Sequence, residues 1–264
     1  MTRLPTFFIP HGGGPCFFMD WNPSGVWDGM AEYLKGFADD FRPDIKALIV
    51  ISAHWEEDLV KVTGHANPEL IYDYHGFPSH TYDLKWPAPG HPDLAVQVSD
   101  ALNKGGIDCV VDDQRGFDHG VFIPLLLAFP DAHIPTIQIS LHAGLSPQQH
   151  LTIGRLISPF RDDGVLIIGS GMSYHDVGAL MGRKEVSGSE EFDHWLSESV
   201  LLPPQEREDR LLNWSSASFA RLCHPREEHL MPLHVVAGAA PEGKSQIDYS
   251  ETLLGAKISA YQFG

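Results

Sequence analysis

The sequence has few cysteines, few cationic side chains and no long apolar run. Its three cysteines, Cys16, Cys109 and Cys223, form no Cys-x-x-Cys pair, which argues against a thiolate zinc site or a disulfide framework. Isolated thiols of this kind are typical of buried cysteines in a reducing cytoplasm. The longest apolar stretch, residues 121–129, contains Pro124 and falls far short of the roughly 20 residues that span a membrane. The first residues offer no secretory signal, so we expect a cytoplasmic protein that does not enter a membrane.

Positive charge is scarce as well, since 18 lysines and arginines stand against 35 aspartates and glutamates, a formal net charge of −17. An acidic chain repels phosphate groups, so we expect neither nucleic acid nor an anionic membrane as a partner. Histidine, by contrast, is abundant, with 15 copies. Because histidine is the commonest metal ligand and titrates near neutral pH, we expect the chemistry of this chain to lie with some of these side chains.

The apolar pattern predicts an α/β fold, because short apolar runs alternate with amphipathic stretches. Several runs are continuous, which is typical of strands covered on both faces. The predicted strands are residues 6–9, 46–52, 58–63, 107–111, 135–140, 165–169 and 256–263. The predicted helices are residues 26–39, 92–104, 121–128, 146–160, 190–199 and 206–212. No repeat or linker divides the chain, so we expect a single domain spanning residues 1–264.

Residues 67–91 are rich in proline, glycine and tyrosine and have neither a helical nor a strand period. Loops of this length in a compact domain often shape a binding site. His75 and His80, with Tyr74 and Tyr82, are placed either to line a pocket for an aromatic substrate or simply to pin the loop.

Four histidines share one sequence context. His11, His54 and His175 each follow an apolar run at or near its end, and His229 directly precedes the apolar run 230–236. Ligands of open α/β sheets bind outside the carboxyl ends of the strands, so these histidines are predicted to converge in one crevice. Glycines beside them, such as Gly12 after His11, permit close backbone approach there.

Other site classes are disfavoured by the spacing. Gly12, Gly13 and Gly14 are not followed by the Gly-Lys-Ser/Thr of a phosphate-binding loop. His229 and His234 are five residues apart, about 140° around a helix, and Pro232 should break a helix between them, so they are not expected to bind one ion as a helical pair. We expect His234 to be buried or to stand behind the site.

Seven motifs then occur in an order that carries a resemblance: Pro-His-Gly-Gly-Gly-Pro (10–15), Ser-Ala-His-Trp (52–55), Tyr-His-Gly-Phe-Pro (74–78), Trp-Pro-Ala-Pro-Gly (86–90), Gly-Phe-Asp-His-Gly (116–120), Gly-Ser-Gly (169–171) and Glu-His-x-x-Pro-Leu (228–233). This set resembles the class III extradiol ring-cleavage dioxygenases of the LigB superfamily. It is most similar to the DOPA 4,5-dioxygenase branch and covers about residues 5–262.

The resemblance implies a single α/β domain with a central mixed β-sheet flanked by helices on both faces, and a non-haem Fe(II) centre. Carried over position by position, His11, His54 and His229 correspond to the metal ligands. His175 corresponds to the acid/base, or to a fourth metal ligand in zinc-filled relatives. His119 corresponds to a second pocket histidine that contacts substrate or dioxygen.

The third ligand is left open between two adjacent residues, Glu228 and His229. The protocatechuate branch uses a glutamate as its third ligand, whereas the DOPA dioxygenase branch favours the histidine. Neutral imidazoles suit both Fe(II) and Zn(II), so the sequence does not choose between these metals.

The activity that the resemblance implies is opening of a catechol-type aromatic, such as DOPA or a related phenolic, by dioxygen next to its hydroxyls. The product would be a muconic semialdehyde, and the protein would be a monomer or a homo-dimer. Two alternatives stay open. Three histidines and a water also form a catalytic zinc set, as in a hydrolase. Memo proteins resemble the same fold and act mainly as binding proteins, although this chain keeps His119 and His175.

Overall fold

The computed structural model describes residues 3–264. Within them the strands are β1 (Thr6–Pro10), β2 (Ala47–Glu57), β3 (Val60–Thr63), β4 (Leu70–Ile71), β5 (Cys109–Asp112), β6 (Phe117–Asp118), β7 (Thr136–His142), β8 (Val165–Gly171), β9 (Ser245–Leu253) and β10 (Ala256–Phe263). The α-helices are α1 (Asp28–Gly36), α2 (Pro92–Lys104), α3 (His119–Ala128), α4 (Pro147–Ile157), α5 (Val177–Leu180), α6 (Ser189–Leu201), α7 (Pro204–Leu212), α8 (Ala220–Cys223) and α9 (Met231–Ala239).

Eight strands form one mixed sheet in the order β5-β3-β7-β2-β8-β1-β10-β9. Its centre is parallel, since β2 pairs in parallel with β7 and β8, and β8 does so with β1. The outer strands β10 and β9 run antiparallel. Because β1, β2 and β8 are parallel neighbours, their carboxyl ends lie at the same edge of the sheet, where the predicted histidines follow.

Helices cover both faces of the sheet, as adjacent residues of β8 show. A side chain at Gly169 would meet the Pro232 carbonyl of α9, whereas the hydroxyl of Ser170 donates to the Gly120 carbonyl of α3. Successive side chains of a strand point to opposite faces, so α9 and α3 lie on opposite sides. The central strands are accordingly buried on both faces. The predicted fold class, α/β with a central mixed sheet flanked by helices, is confirmed.

Two local features differ from the sequence-based predictions. β2 continues to Glu57 past a register shift against β7, so His54 lies within the strand and not in the loop after it. Pro232 lies in the first turn of α9, where a missing N–H costs no hydrogen bond, and because this helix begins at Met231, no helix joins His229 to His234, as expected. Strand β9 was not predicted, since it buries only Tyr249 and Leu253 and shows no clear apolar period.

No helix within residues 3–264 is both long enough and apolar enough to cross a membrane.

Candidate metal centre

Three histidines from separate elements meet at the carboxyl edge of the sheet. His11 follows β1, His54 lies in the outer half of β2, and His229 stands two residues before α9. The Nε2 atoms of His11 and His54 are 3.3 Å apart, and the ring centre of His229 is 5.1 Å from that of His11 and 4.9 Å from that of His54. One nitrogen from each ring lies within 4.8 Å of the other two, a spacing that can hold one metal ion.

The hydrogen bonds of His11 and His229 leave a lone pair on the ring nitrogen that faces the cluster. The Nδ1 of His11 donates to the Gly12 carbonyl at 3.0 Å, and the Nδ1 of His229 donates to Glu228 at 2.9 Å. With Nδ1 protonated in both rings, each Nε2 carries a lone pair. The Nε2 of His229 is buried and has no hydrogen-bond partner among residues 3–264. A buried acceptor in this state is costly in a protein, and a divalent cation would satisfy it.

The charge state of the rings fits metal binding as well. Burial, followed by the charges of neighbouring histidines, holds the pKa of His11, His54 and His229 well below the ordinary value of 6.5. The three rings are therefore neutral at pH 7. Neutral imidazole is the form that ligates Fe(II) and Zn(II).

One side of this cluster is formed by Asp73 and His119, and we call these residues, together with His54, the Asp73 side. The Nδ1 of His119 donates to Asp73 at 2.7 Å, and the ring of His119 lies 3.9 Å from that of His54. The second carboxylate oxygen of Asp73 is 3.7 Å from the Nδ1 of His54. Burial raises the pKa of Asp73, but the hydrogen bonds from His119 outweigh it and lower that pKa overall.

The opposite side is formed by Glu228 and His175, and we call these residues, together with His229, the Glu228 side. The His175 ring stacks on that of His229 with ring centres 3.3 Å apart. One oxygen of Glu228, Oε1, lies 3.3 Å from the Nδ1 of His175 and 2.9 Å from that of His229. Burial raises the pKa of Glu228, and the hydrogen bond with His175 and the charge of Arg226 lower it overall.

Within residues 3–264, two further three-residue sets have metal-binding spacing, His54–Asp73–His119 and His175–Glu228–His229. In both, however, ring N–H groups already occupy the carboxylate. The set of His11, His54 and His229 differs because, in the described part of the chain, its inward nitrogens have no hydrogen-bond partner other than one another. Glu228 groups with His175 and His229 and does not group with His11 and His54.

A network of buried polar side chains around Asp118 connects to the Asp73 side. Asp118, which is fully buried, accepts hydrogen bonds from Ser52 at 2.7 Å, from Arg115 at 3.2 Å and from Gln138. The Ser52 hydroxyl in turn accepts the backbone N–H of His54 at 3.2 Å. Burial and the nearby Asp73 raise the pKa of Asp118. The network joins the strand of His54 to the residue that precedes His119.

The structure also places the remaining histidines of interest. The Tyr74 ring lies 5.7 Å from that of His119, edge to face, so the 67–91 loop does reach the cluster. His80 contacts the Phe18 carbonyl at 3.0 Å and pins the loop. His234 is buried and bonds the carbonyls of Leu230 and Leu211, in agreement with the expectation that it is buried.

Sequence reasoning brought His11, His54, His119, His175 and His229 together, and the structure groups all five. It missed Asp73, which directly precedes the Tyr-His-Gly-Phe-Pro motif at 74–78 but lies 46 positions from His119. The signals that could have found it were its place beside that motif and a loop rich in aromatic residues and long enough to reach a site.

Known proteins resemble this chain over nearly its whole length. Residues 5–260 match the family model described as the catalytic LigB subunit of aromatic ring-opening dioxygenase. The chain is 37% identical to a 4,5-DOPA dioxygenase extradiol of Beta vulgaris, an alignment covering 90% of this chain and 87% of that protein. It is 36% identical to the dioxygenase tasH of Hapsidospora irregularis, covering all of this chain and 86% of that protein.

A solved structure shares the fold over its whole length. A crystal structure of an uncharacterised protein from Escherichia coli K12 superposes with a TM-score of 0.79. It is 25% identical in sequence and covers 99% of this chain and all of that one.

Proposed function

This chain belongs to the LigB family of aromatic ring-opening dioxygenases, and from that premise we propose that it is an extradiol enzyme acting on a catechol. It opens a DOPA-like or related phenolic ring with dioxygen at a non-haem Fe(II) site and gives a muconic semialdehyde. The observation that carries the proposal is the set of three inward nitrogens on His11, His54 and His229, one of them buried without a partner.

In this proposal His11, His54 and His229 hold the metal, and His229 rather than Glu228 is the third ligand. Three ligands on one side of an ion leave positions open for a bidentate catechol and for dioxygen. When bound, Fe(II) supplies those positions and the electron density that dioxygen needs. Neutral imidazole donors would accept Zn(II) in the same site.

His175 is the proposed acid/base. Its Nδ1 lies against Glu228, so Nε2 is the nitrogen left to take the proton of a catechol hydroxyl. The neighbouring Glu228 carboxylate stabilises the imidazolium that forms, in the same manner as a buried carboxylate behind a general-base histidine. His119 stands on the other side of the cluster, where it holds the substrate or passes a proton to reduced oxygen.

The aromatic part of the 67–91 loop supports a planar substrate. Tyr74 packs edge to face against His119, and Tyr72, Tyr82 and Phe122 continue that aromatic cluster. Rings of this kind offer stacking and edge contacts to another aromatic ring.

The test is oxygen uptake by protein loaded anaerobically with Fe(II), supplied with a panel of catechols that includes DOPA. We expect oxygen uptake together with a yellow semialdehyde absorbance. No uptake with any catechol would contradict the proposal. Ester hydrolysis by the zinc-loaded form without oxygen uptake would instead support a zinc hydrolase, the second candidate, because an all-imidazole set is also a catalytic zinc set.

The variant His175→Ala extends this test to the acid/base. Removing a positioned proton acceptor should lower kcat by about 10²–10⁴-fold while a full equivalent of metal stays bound. His133→Ala, which alters an exposed histidine, is the matched control and should behave like the parent protein. Loss of metal from His175→Ala would show that His175 is a fourth ligand.

A further inference from the structure

A two-stranded ribbon brings Asp73 to His119. Strand β4 pairs in parallel with β6, with Leu70 opposite Phe117 and Ile71 opposite Asp118. His119 directly follows β6 and Asp73 is the second residue after β4, so the register sets the two side chains beside each other. Gly116 permits this pairing, because any side chain there would lie 2.1 Å from the Glu69 carbonyl.

The Asp73 carboxylate makes three contacts, two of them with His119 at the start of α3 and one with His54 in β2. Its Oδ1 accepts the ring Nδ1–H of His119 at 2.7 Å and the backbone N–H of His119 at 3.0 Å. Its Oδ2 lies 3.7 Å from the Nδ1 of His54. The carboxylate therefore faces the outer nitrogens of both rings, and the Nε2 atoms of both rings point away from it.

The His119 ring has little freedom apart from this contact. It is 5% exposed and packs between His54 at 3.9 Å, His11 at 5.5 Å and Tyr74 at 5.7 Å between ring centres. A neutral imidazole in this place exists as one of two tautomers, and its Nδ1 partner decides which one is present. A carboxylate accepts hydrogen bonds only, so Asp73 requires the proton on Nδ1 and leaves Nε2 with its lone pair.

We propose that Asp73 is the positioning residue of a second carboxylate–histidine pair, which keeps the Nε2 of His119 as a proton acceptor on the side of the centre opposite His175. The inference rests on the proposed function, because it assigns a task to His119 within that site. It gives the ring-opening centre two proton-carrying histidines, each with its own carboxylate.

The proton step balances without any further reagent. A substrate O–H bond breaks, its electron pair stays on the oxygen, and the proton forms an N–H bond at the Nε2 of His119. The positive charge that forms on the ring is stabilised across the 2.7 Å hydrogen bond by the Asp73 carboxylate, which stays ionised. The same N–H returns the proton to a more basic oxygen later in the cycle.

A purely structural task for Asp73 has to be separated from this one. The backbone N–H of His119 is the first of α3, and an acceptor there caps the helix. Asparagine caps helices about as well as aspartate, so Asp73→Asn preserves the cap and removes the charge and the strict acceptor character. Asp83→Asn, an exposed carboxylate in the same loop, is the matched control.

Three readouts are measured on each protein. The ring ¹⁵N chemical shifts of His119 in the zinc-loaded protein, identified by their absence in His119→Gln, report the tautomer. Metal content and thermal unfolding report the site and the cap. Steady-state kinetics of the Fe(II)-loaded protein with the best catechol report kcat and KM separately.

For Asp73→Asn we expect His119 to lose its uniform Nδ1–H tautomer and kcat to fall about 10–100-fold, the range seen when a group orienting a site histidine is lost. KM, metal content and the unfolding midpoint should stay near the parent values. Asp83→Asn should match the parent protein in every readout.

Two results would overturn the proposal. One is an unchanged kcat together with an unchanged tautomer. The other is an unchanged tautomer together with a lower kcat that is accompanied by loss of metal or of thermal stability. Asp73 would then act only as a helix cap. If the parent protein opens no catechol ring, the proposed function fails separately, and the ¹⁵N spectrum alone then decides whether Asp73 sets the His119 ring.

Discussion

The Asp73 side and the Glu228 side of the centre have the same chemical plan. On each side one carboxylate faces the outer nitrogens of two histidines, one of them a proposed metal ligand and the other not. Asp73 faces His54 and His119, and Glu228 faces His229 and His175. The rings between them enclose the inward nitrogens of the proposed metal site.

The two carboxylates are held in place by different means. Asp73 is set by the β4–β6 register and bonds a backbone N–H at the start of α3. Glu228 is the chain neighbour of His229, and Arg226 approaches its outer oxygen at 3.4 Å while also pairing with Glu56. The Arg226 side chain is 53% exposed. The Asp73 side thus depends on buried backbone geometry, and the Glu228 side in part on a solvated ion pair.

The two carboxylates should therefore respond differently to salt and to changes at the protein surface. Hydrogen bonds to a buried backbone are little affected by salt, whereas exposed ion pairs are screened by it. Changes at the surface should therefore reach the metal centre through Glu228 and not through Asp73.

The largest expected effect comes from removing one ligand of each side. His54→Ala and His229→Ala should both weaken metal binding beyond the roughly 100-fold that supporting residues account for, and both should abolish turnover. His119→Ala, on the Asp73 side, should retain metal. Metal content after dialysis, measured by elemental analysis, checks this. Equal metal loss from His119→Ala would break the distinction between ligand and non-ligand histidines.

Removing the charge of Glu228 should have the next largest effect. Glu228→Gln keeps an acceptor beside His229 but loses the carboxylate that stabilises the ligand, so zinc affinity should fall about 10–100-fold. Competition with a chelator measures that affinity. Glu227→Gln is the control, since Glu227 is the neighbouring glutamate and pairs with Arg221. An unchanged affinity in Glu228→Gln would show that Glu228 contributes no more than packing.

Lowering the pH should destabilise the fold near the Glu228 side through His224. The ring Nε2 of His224 donates to the carbonyl of Ser173, two residues before His175. Burial lowers the pKa of His224 to about 4, against 6.5 when unfolded. Its stabilisation is complete above pH 6.5 and is lost as the pH falls from 6.5 toward 4, because only the unfolded chain gains the proton there. Between about pH 7.5 and about pH 5.5 this costs about 1 kcal/mol.

The variant His224→Gln isolates that contribution. Its urea-measured free energy of unfolding should fall about 1 kcal/mol less than that of the parent protein between the two pH values. An equal fall in both proteins would assign the acid sensitivity to other groups.

The smallest effect should come from Arg226→Ala. An exposed ion pair contributes about 0.2–1 kcal/mol, so zinc affinity should change no more than about fivefold at low salt. The change should vanish near 1 M salt, where the screening length is about 3 Å. Chelator competition at both salt concentrations measures it. A change that persists at high salt would show that Arg226 holds Glu228 by geometry rather than by charge.

Much of the fold was readable because the central strands and several helices have strong local patterns. The helix predicted at residues 92–104 and the strand predicted at 256–263 occur with those bounds. Helix α9 was not predicted, because all nine of its residues are buried and it has no polar face. Such a run has no period that separates a helix from a buried strand.

By itself, the sequence determined which residue types bear the chemistry and at which edge of the sheet they meet. Histidines at or near the ends of apolar runs are expected to converge where parallel strands share a carboxyl edge, and His11, His54 and His175 do so. It did not choose between Glu228 and His229, because both residue types ligate metal ions and the two are adjacent in the chain.

The tertiary structure sets the directions of the Glu228 and His229 side chains and places Asp73 beside His119. Asp73, the partner of His119, lies 46 positions away in the sequence. It is positioned by a ribbon with two residue pairs, which is too short to give a sequence pattern. The positions of strands and helices follow from local periodicity summed over several residues. The contact of one carboxylate with one ring depends instead on the register and packing of distant segments, which exist only once the chain has folded.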